Sequence, residues 1–381
     1  MSPSLAGAAT ILPMAARDAS VGRLAGLDLA RAFAMLGMLV VHTRLEPQTA
    51  SDRAFAWANV WAGPMFTLIA GTGLSLAWRY RRTTRLQGIV VVRAAALLLI
   101  GVWLETQMYG SILQYFAVYF LLGLLALRLG VRALLGLAAA CLVLGPLLIT
   151  VLVRSGTVTL GLRADQGFDS LADPVALLRA LTVDGLYPAV VWSGFFFLGM
   201  AIGRLDLRDR RLTGRLAVVG LAVGGLGTFV GWIGARTYHP NRLEWSHHWS
   251  AMAHSEAVAW AITAAGFALG FAGAVLWIAT GLGPRVALLA PFIALGQVAL
   301  TFYLLHLWYT DTLWKTIEPE VPSIPAYVAA TLGFYVLFAL AAWLWRSVFA
   351  RGPVESVIDG AARIIVRPRP LPDRTSGSAL V

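Results

Sequence analysis

Apolar residues run along this chain in long stretches with polar residues gathered between them, and the pattern continues from residue 25 almost to residue 346. About 20 apolar residues make an α-helix long enough to cross about 30 Å of hydrocarbon. Windows of about 19 residues predict ten such helices, at 25–43, 57–78, 87–107, 110–128, 132–153, 186–204, 215–235, 256–280, 286–309 and 325–346. The expected fold class is all-α, a polytopic transmembrane helical bundle. Its expected parts are an N-terminal segment over 1–24, a single transmembrane domain over 25–350 and a C-terminal tail over 351–381. From Arg367 onward the tail is rich in Pro, Ser and Gly and reads as disordered. The stretch Ala6–Ala16 is broken by Pro13 and lacks a basic lead, so no cleaved signal peptide is expected and the first span does the targeting.

Composition narrows the function classes. Of 381 residues, 59% are apolar and 13% charged, against about 25% charged in a soluble domain, which excludes an ordinary soluble enzyme. The single cysteine, Cys141, excludes an intrachain disulfide and any cysteine-built zinc or iron–sulfur centre. A net charge of +11 would point to nucleic acid in a soluble protein. Here position matters more. With the N-terminus inside, 21 of the 30 basic residues fall on the inner side and 8 on the outer, Arg31 lies within the first span, and twelve acidic residues face outward. That asymmetry puts both termini in the cytoplasm and removes nucleic acid from the expected partners.

All six histidines, His42, His239, His247, His248, His254 and His306, fall at or beyond the outer ends of spans, so chemistry is expected on the outer face. The first span carries Asp28, Arg31 and His42. Arg31 and His42 are eleven residues apart, about 20° off one line and about 16 Å along the axis, and Asp28 lies one turn below Arg31, able to pair with it. Facing lipid would cost this stripe several kcal/mol, so it faces the bundle interior or a wet cavity. One reading is an interfacial ion pair that ends the helix, with His42 at headgroup level. The other makes His42 a general base or nucleophile, with Arg31 orienting or neutralising substrate and Asp28 assisting.

Tyr303 precedes His306 by one turn, with Thr301 further inward and Asp311 just outside. His306 is read either as a hydrogen-bonded interface residue or as a wall of the acceptor site opposite His42. His254 stands beside Ser255 and Glu256, where Ser255 is placed to cap the eighth helix. The group His239, Glu244, His247, His248 and His254 lacks the spacing of zinc motifs, and no metal is expected. Trp61, Trp245 and Trp249 read as an interfacial belt, and Gly71-x-Gly73 and Gly199-x3-Gly203 as close helix contacts.

These residues carry a resemblance. Arg31-x10-His42 after Gly26-Leu-Asp28 looks like the N-terminal signature of integral-membrane acyltransferases. Further segments follow in order: Pro64-Met-Phe-Thr-Leu-Ile-Ala-Gly71-Thr-Gly-Leu-Ser75, Ile112-Leu-Gln114-Tyr115, Gly185-Leu-Tyr-Pro188, Gly199 with Gly203-Arg204, His254-Ser255, Leu295-Gly-Gln with Thr301-Phe-Tyr303-Leu-Leu-His306, and Gly352-Pro353-Val-Glu355. Over nearly its whole length the chain resembles the YeiB-type group related to heparan-alpha-glucosaminide N-acetyltransferase. Leu113-Gln114-Tyr115 stands where the eukaryotic transferases have Leu-Gln-Arg, and Ser356 where an aromatic residue would follow Glu355.

The resemblance implies a membrane-embedded transferase that moves an acyl group, acetyl for preference, from cytoplasmic acyl-CoA to a hydroxyl or amine acceptor on the outer side, such as a cell-envelope glycan or glycolipid. Acetyl-CoA is then a donor substrate and no cofactor is permanently bound. His42, Arg31 and Asp28 take the catalytic places, by direct transfer or through an acyl-histidine, and His306, Tyr303, His254 and Gln114 the substrate-binding ones. Expected partners are membrane lipid, acyl-CoA, an outer-face acceptor and a second copy in a homodimer, at the plasma membrane. The arginines at 79, 81, 82, 85 and 93 serve topology or hold CoA phosphates. The rival reading is a transporter of a small molecule or lipid intermediate; it lacks the repeat expected of many transporters, since spans six to ten carry no counterpart of the Asp-x2-Arg-x10-His stripe.

Overall fold

The computed structural model describes residues 24–43, 49–80, 82–107, 110–158, 171–234, 236, 244–317 and 323–366. The N-terminal segment, His239 and the tail from Arg367 lie outside the described residues. The helices are α1 (Ala25–His42), α2 (Thr49–Tyr80), α3 (Thr84–Thr106), α4 (Leu113–Leu125), α5 (Val131–Arg154), α6 (Pro174–Arg179), α7 (Ala189–Ile202), α8 (Arg210–Gly234), α9 (Val258–Leu282), α10 (Ala290–Gln297), α11 (Ala299–Trp308), α12 (Ile324–Val348) and α13 (Pro353–Ile365). Wider turns extend α6 over Ala180–Asp184 and α11 over Tyr309–Trp314. No strand occurs among the described residues, so the chain is an all-α polytopic bundle.

Among the described residues, seven stretches are long and apolar enough to cross a membrane: Ala25–His42, Ala56–Tyr80, Thr84–Thr106, Val131–Arg154, Arg210–Gly234, Val258–Gln297 and Ile324–Val348. An eighth is the bent pair Pro174–Asp184 and Ala189–Ile202, whose halves meet at 63°. The segments expected at 110–128 and 286–309 are helical but depart from simple spans. α4 has 13 residues, about 20 Å at 1.5 Å per residue. The second is cut at Val298, whose φ of −110° and ψ of 36° end α10 and start α11.

α1 is buried along most of its length and packs on α2, α9 and α10. Small residues set these approaches. A Cβ on Gly296 of α10 would overlap the Asp28 carbonyl of α1, one on Gly71 of α2 the Phe196 carbonyl of α7, and one on Gly199 of α7 the Leu68 carbonyl of α2. Thr72 Oγ1 adds a 3.0 Å hydrogen bond to the Gly199 carbonyl. α8 and α9 meet through Gly220, Gly224 and Gly227 against Gly270, Gly266 and Thr263. In lipid, where burying apolar surface gives no advantage over leaving it exposed, such backbone proximity supplies the packing. Val218, Leu226, Phe229 and Trp232 of α8 and Leu337 and Leu344 of α12 stay exposed, as an apolar solvent requires.

Trp61 corrects the belt expectation: it is buried, stacks on Phe33 at 5.1 Å and sits in the notch that Gly37 leaves on α1. Trp245 and Trp249, 51% and 55% exposed, remain suited to an interface. α13 starts with Pro353 at its first helical position, where the missing N–H costs nothing. It turns Ile358, Asp359 and Ala362 inward and Val357, Ile364 and Ile365 outward, and packs on α3 and α11.

Candidate functional site

Two histidines separated by 264 residues meet at the C-terminal end of α1. His42 Nδ1 lies 3.0 Å from His306 Nε2. His42 is half-buried, whereas His306 is fully buried with its Nδ1 at 3.3 Å from the Phe302 carbonyl. Tyr303 packs edge-on against His306 at 5.2 Å, and its hydroxyl accepts a 3.3 Å hydrogen bond from the Ile112 amide.

Asp28 and Arg31 sit at the other end of α1. Arg31 donates to Asp28 at 2.8 Å and to the Gly296 carbonyl at 3.0 Å. Gln297 Nε2 donates to Asp28 at 3.2 Å, and Gln297 Oε1 accepts from Arg346 at 2.8 Å. The ion pair thus joins α1 to the end of α10 and to α12. It does not touch His42, because eleven residues of helix separate Arg31 from it.

Between these two ends lies a cavity of about 510 Å³. Arg31, Arg93, Arg346 and Arg351 line it with the carboxylates of Glu355 and Asp359, with the apolar Phe66, Leu74, Leu97, Leu113, Phe116 and Phe120, and with Tyr303. Gly73 faces it too, with the Arg31 guanidinium 3.9 Å from where a Cβ would stand. Of the arginines expected at a donor site, Arg81 lies outside the described residues and, among the others, Arg93 alone lines this cavity, joined by Arg346 and Arg351. α13 closes the wall. Asp359 pairs with both Arg93 and Arg351. Glu355 accepts from the Leu300 amide at 2.8 Å, the Thr301 amide at 3.1 Å and the Thr301 hydroxyl at 2.6 Å. A carboxylate on the first turn of α11 matches the partial positive charge of a helix N-terminus, and this is what the Gly352-Pro353-Val-Glu355 segment does. The division expected at residue 350 therefore runs through the wall of the cavity.

The other expected substrate contacts, Gln114 and His254, do not line this cavity. Gln114 is buried and donates to Glu105 at 2.7 Å. Tyr115 and Tyr119 of α4 hold the Gly185-Leu-Tyr-Pro188 segment, accepting from the Leu186 amide at 2.8 Å and donating to the Tyr187 carbonyl at 2.6 Å. His254 lies 3.3 Å from the Leu186 carbonyl and stacks on Trp192 at 5.6 Å. With φ of 55° and 54°, His254 and Glu256 occupy the left-handed region, uncommon for residues other than glycine. Ser255 is not the helix cap: α9 starts after Ala257, and Ser255 Oγ accepts from the Ala257 amide at 3.3 Å inside the preceding turn. His247 lies 2.7 Å from the Ser255 carbonyl, and His248 lies 3.1 Å from the Thr150 hydroxyl. Burial first, and His247 second, hold the His248 imidazole below its ordinary value of 6.5. Among the described residues no three His, Cys, Asp or Glu side chains converge as a metal would need.

Residues 23–239 match the catalytic family model of heparan-alpha-glucosaminide N-acetyltransferase, and residues 203–362 match DUF418, a family described as being of unknown function. No curated protein matches the chain. The first match covers more than half of the chain and holds Asp28, Arg31 and His42; the second holds His306 and Glu355. A family of membrane acetyltransferases fits a helical bundle with paired histidines and an arginine-lined cavity that Tyr303, the neighbour of His306, helps to line. The chain belongs to the heparan-alpha-glucosaminide N-acetyltransferase-like, YeiB-type family.

Proposed function

We propose that this protein is an acyl-CoA-dependent acetyltransferase of the plasma membrane that acetylates a hydroxyl or amine acceptor on the extracytoplasmic side. With both termini in the cytoplasm, as the distribution of basic residues favours, the Asp28–Arg31 end of α1 faces the cytoplasm and the histidine pair faces outward. The observation that carries the reading is the cavity itself, lined by four guanidinium groups, by apolar side chains and by Tyr303, the neighbour of His306 and through it of His42. Guanidinium groups suit phosphates, and apolar walls suit a thin pantetheine arm. Leu86 and Leu97 on α3 both line the cavity; their eleven-residue separation is about 16 Å of helix, enough to bring a thioester well into the bilayer.

His42 Nε2 then takes the proton of the acceptor O–H or N–H as its oxygen or nitrogen bonds to the thioester carbonyl carbon. As the carbon–sulfur bond breaks, the CoA thiolate takes that proton from the imidazolium. Gln114, Tyr303 and His254 are assigned to the acceptor side.

The test is acetyl-CoA turnover by the purified full-length protein in lipid nanodiscs, following free CoA with and without an envelope extract, for wild type and His42→Ala. Release that needs both His42 and the extract is the expected result, and a one-equivalent burst without extract would mark an acyl-histidine. A folded wild type that neither binds nor consumes acetyl-CoA would overturn the reading and turn attention to transport.

A further inference from the structure

His306 has a use beyond the substrate contact expected of it. Its ring is fully buried, lies parallel to Phe302 with centroids 5.4 Å apart and planes at 4°, and meets Tyr303 edge-on at 5.2 Å. These contacts hold the ring in one orientation. Its Nδ1 faces the Phe302 carbonyl at 3.3 Å, an atom that can only accept. A neutral imidazole carries one N–H and one lone pair, so the proton sits on Nδ1 and the lone pair on Nε2. That lone pair meets His42 Nδ1 at 3.0 Å, which must therefore carry the proton of its own ring. His42 Nε2 is left as the bare nitrogen.

We propose that His306 is a positioning residue that locks His42 in the tautomer with a proton on Nδ1 and a lone pair on Nε2. When Nε2 takes a proton, the Nδ1–H bond to His306 supports the imidazolium, the service a carboxylate gives in hydrolase triads. A neutral acceptor does this without burying a second charge, which a low-dielectric site would penalise. The inference rests on the reading of His42 as the base.

The experiment combines kinetics with the tautomer itself. Full-length wild type, His306→Phe and His306→Gln are prepared in nanodiscs with ¹⁵N-labelled histidine. Phe keeps the stacking and removes the acceptor; Gln offers a carbonyl oxygen in its place. His306→Phe is expected to lower kcat about 10²- to 10⁴-fold with KM for acetyl-CoA held within about threefold, and His306→Gln to recover at least about tenfold of that loss. The nitrogen spectrum should show an imidazole with a bare Nε2 that vanishes in His42→Asn and shifts toward the Nε2–H form in His306→Phe. An unchanged His42 tautomer in His306→Phe, a loss in KM alone, or a Gln variant no better than Phe would overturn the proposal. Lack of acetyl-CoA consumption by wild type would instead overturn the functional reading, and the spectrum would still decide the tautomer.

Discussion

Removing the Glu355 carboxylate should loosen one helix far more than it disturbs the rest. Glu355 accepts three hydrogen bonds at the first turn of α11, from the Leu300 and Thr301 amides and the Thr301 hydroxyl. Hydrogen bonds to a charged acceptor contribute about 1.5–3 kcal/mol each, and the helix-end charge adds about 0.3–1 kcal/mol. Half-exposure of Glu355 lets water replace part of this, so Glu355→Ala should cost about 3–5 kcal/mol of local stability. Glu355→Gln keeps an oxygen for the two amides and loses the charge, at about 1 kcal/mol. Local opening is read by hydrogen exchange in nanodiscs. With tenfold per 1.4 kcal/mol, peptides over 299–303 and 353–366 should exchange about 10² times faster or more in the Ala variant, and about fivefold faster in the Gln variant. Unchanged exchange over 353–366 in Glu355→Ala, or equal effects of Ala and Gln, would refute the argument.

Gly199→Ala should lower the thermal midpoint in detergent, since its Cβ overlaps the Leu68 carbonyl and overpacking costs about 1–3 kcal/mol; Gly73→Ala, opening into the cavity, should leave the midpoint near wild type. Asp28→Asn should be worse tolerated than Asp311→Asn, because breaking a buried pair costs about 3–5 kcal/mol and an exposed one about 0–1 kcal/mol; comparison of the two midpoints checks this. His248 carries a lowered folded value, so the unfolded chain binds the extra proton first: the stabilisation is complete above pH 6.5 and declines as pH falls below it. His248→Gln should therefore narrow the difference between midpoints measured at pH 7.5 and pH 5.5, and an equal difference in both proteins would contradict it.

The bundle was legible because each apolar run is long enough to declare a helix by itself. What escaped was set by residues far apart in sequence. Nothing in 286–309 announces the break at Val298, since its stabilising carboxylate arrives with Glu355, beyond the last predicted span. The bend between α6 and α7, by contrast, falls at Gly185-Leu-Tyr-Pro188, where a predicted span begins, and Tyr115 and Tyr119 hold residues 186 and 187 there. By residue type Trp61 reads as part of an interfacial belt, whereas the notch at Gly37 draws it into the bundle. At the site, helical spacing put Asp28, Arg31 and His42 on one line and paired the first two. The meeting of His42 with His306 across 264 residues has no local signature, and Arg346 and Arg351 looked like any other basic residues following a span.

The capped start of α11 also decides what the cavity will attract. A bare helix N-terminus draws anions to its amide groups. Here Glu355 already engages the Leu300 and Thr301 amides, which puts negative charge on that section of the wall. Asp359, one turn further along α13, holds Arg93 and Arg351 close by, so an anion that enters the cavity meets guanidinium groups and not a free helix end.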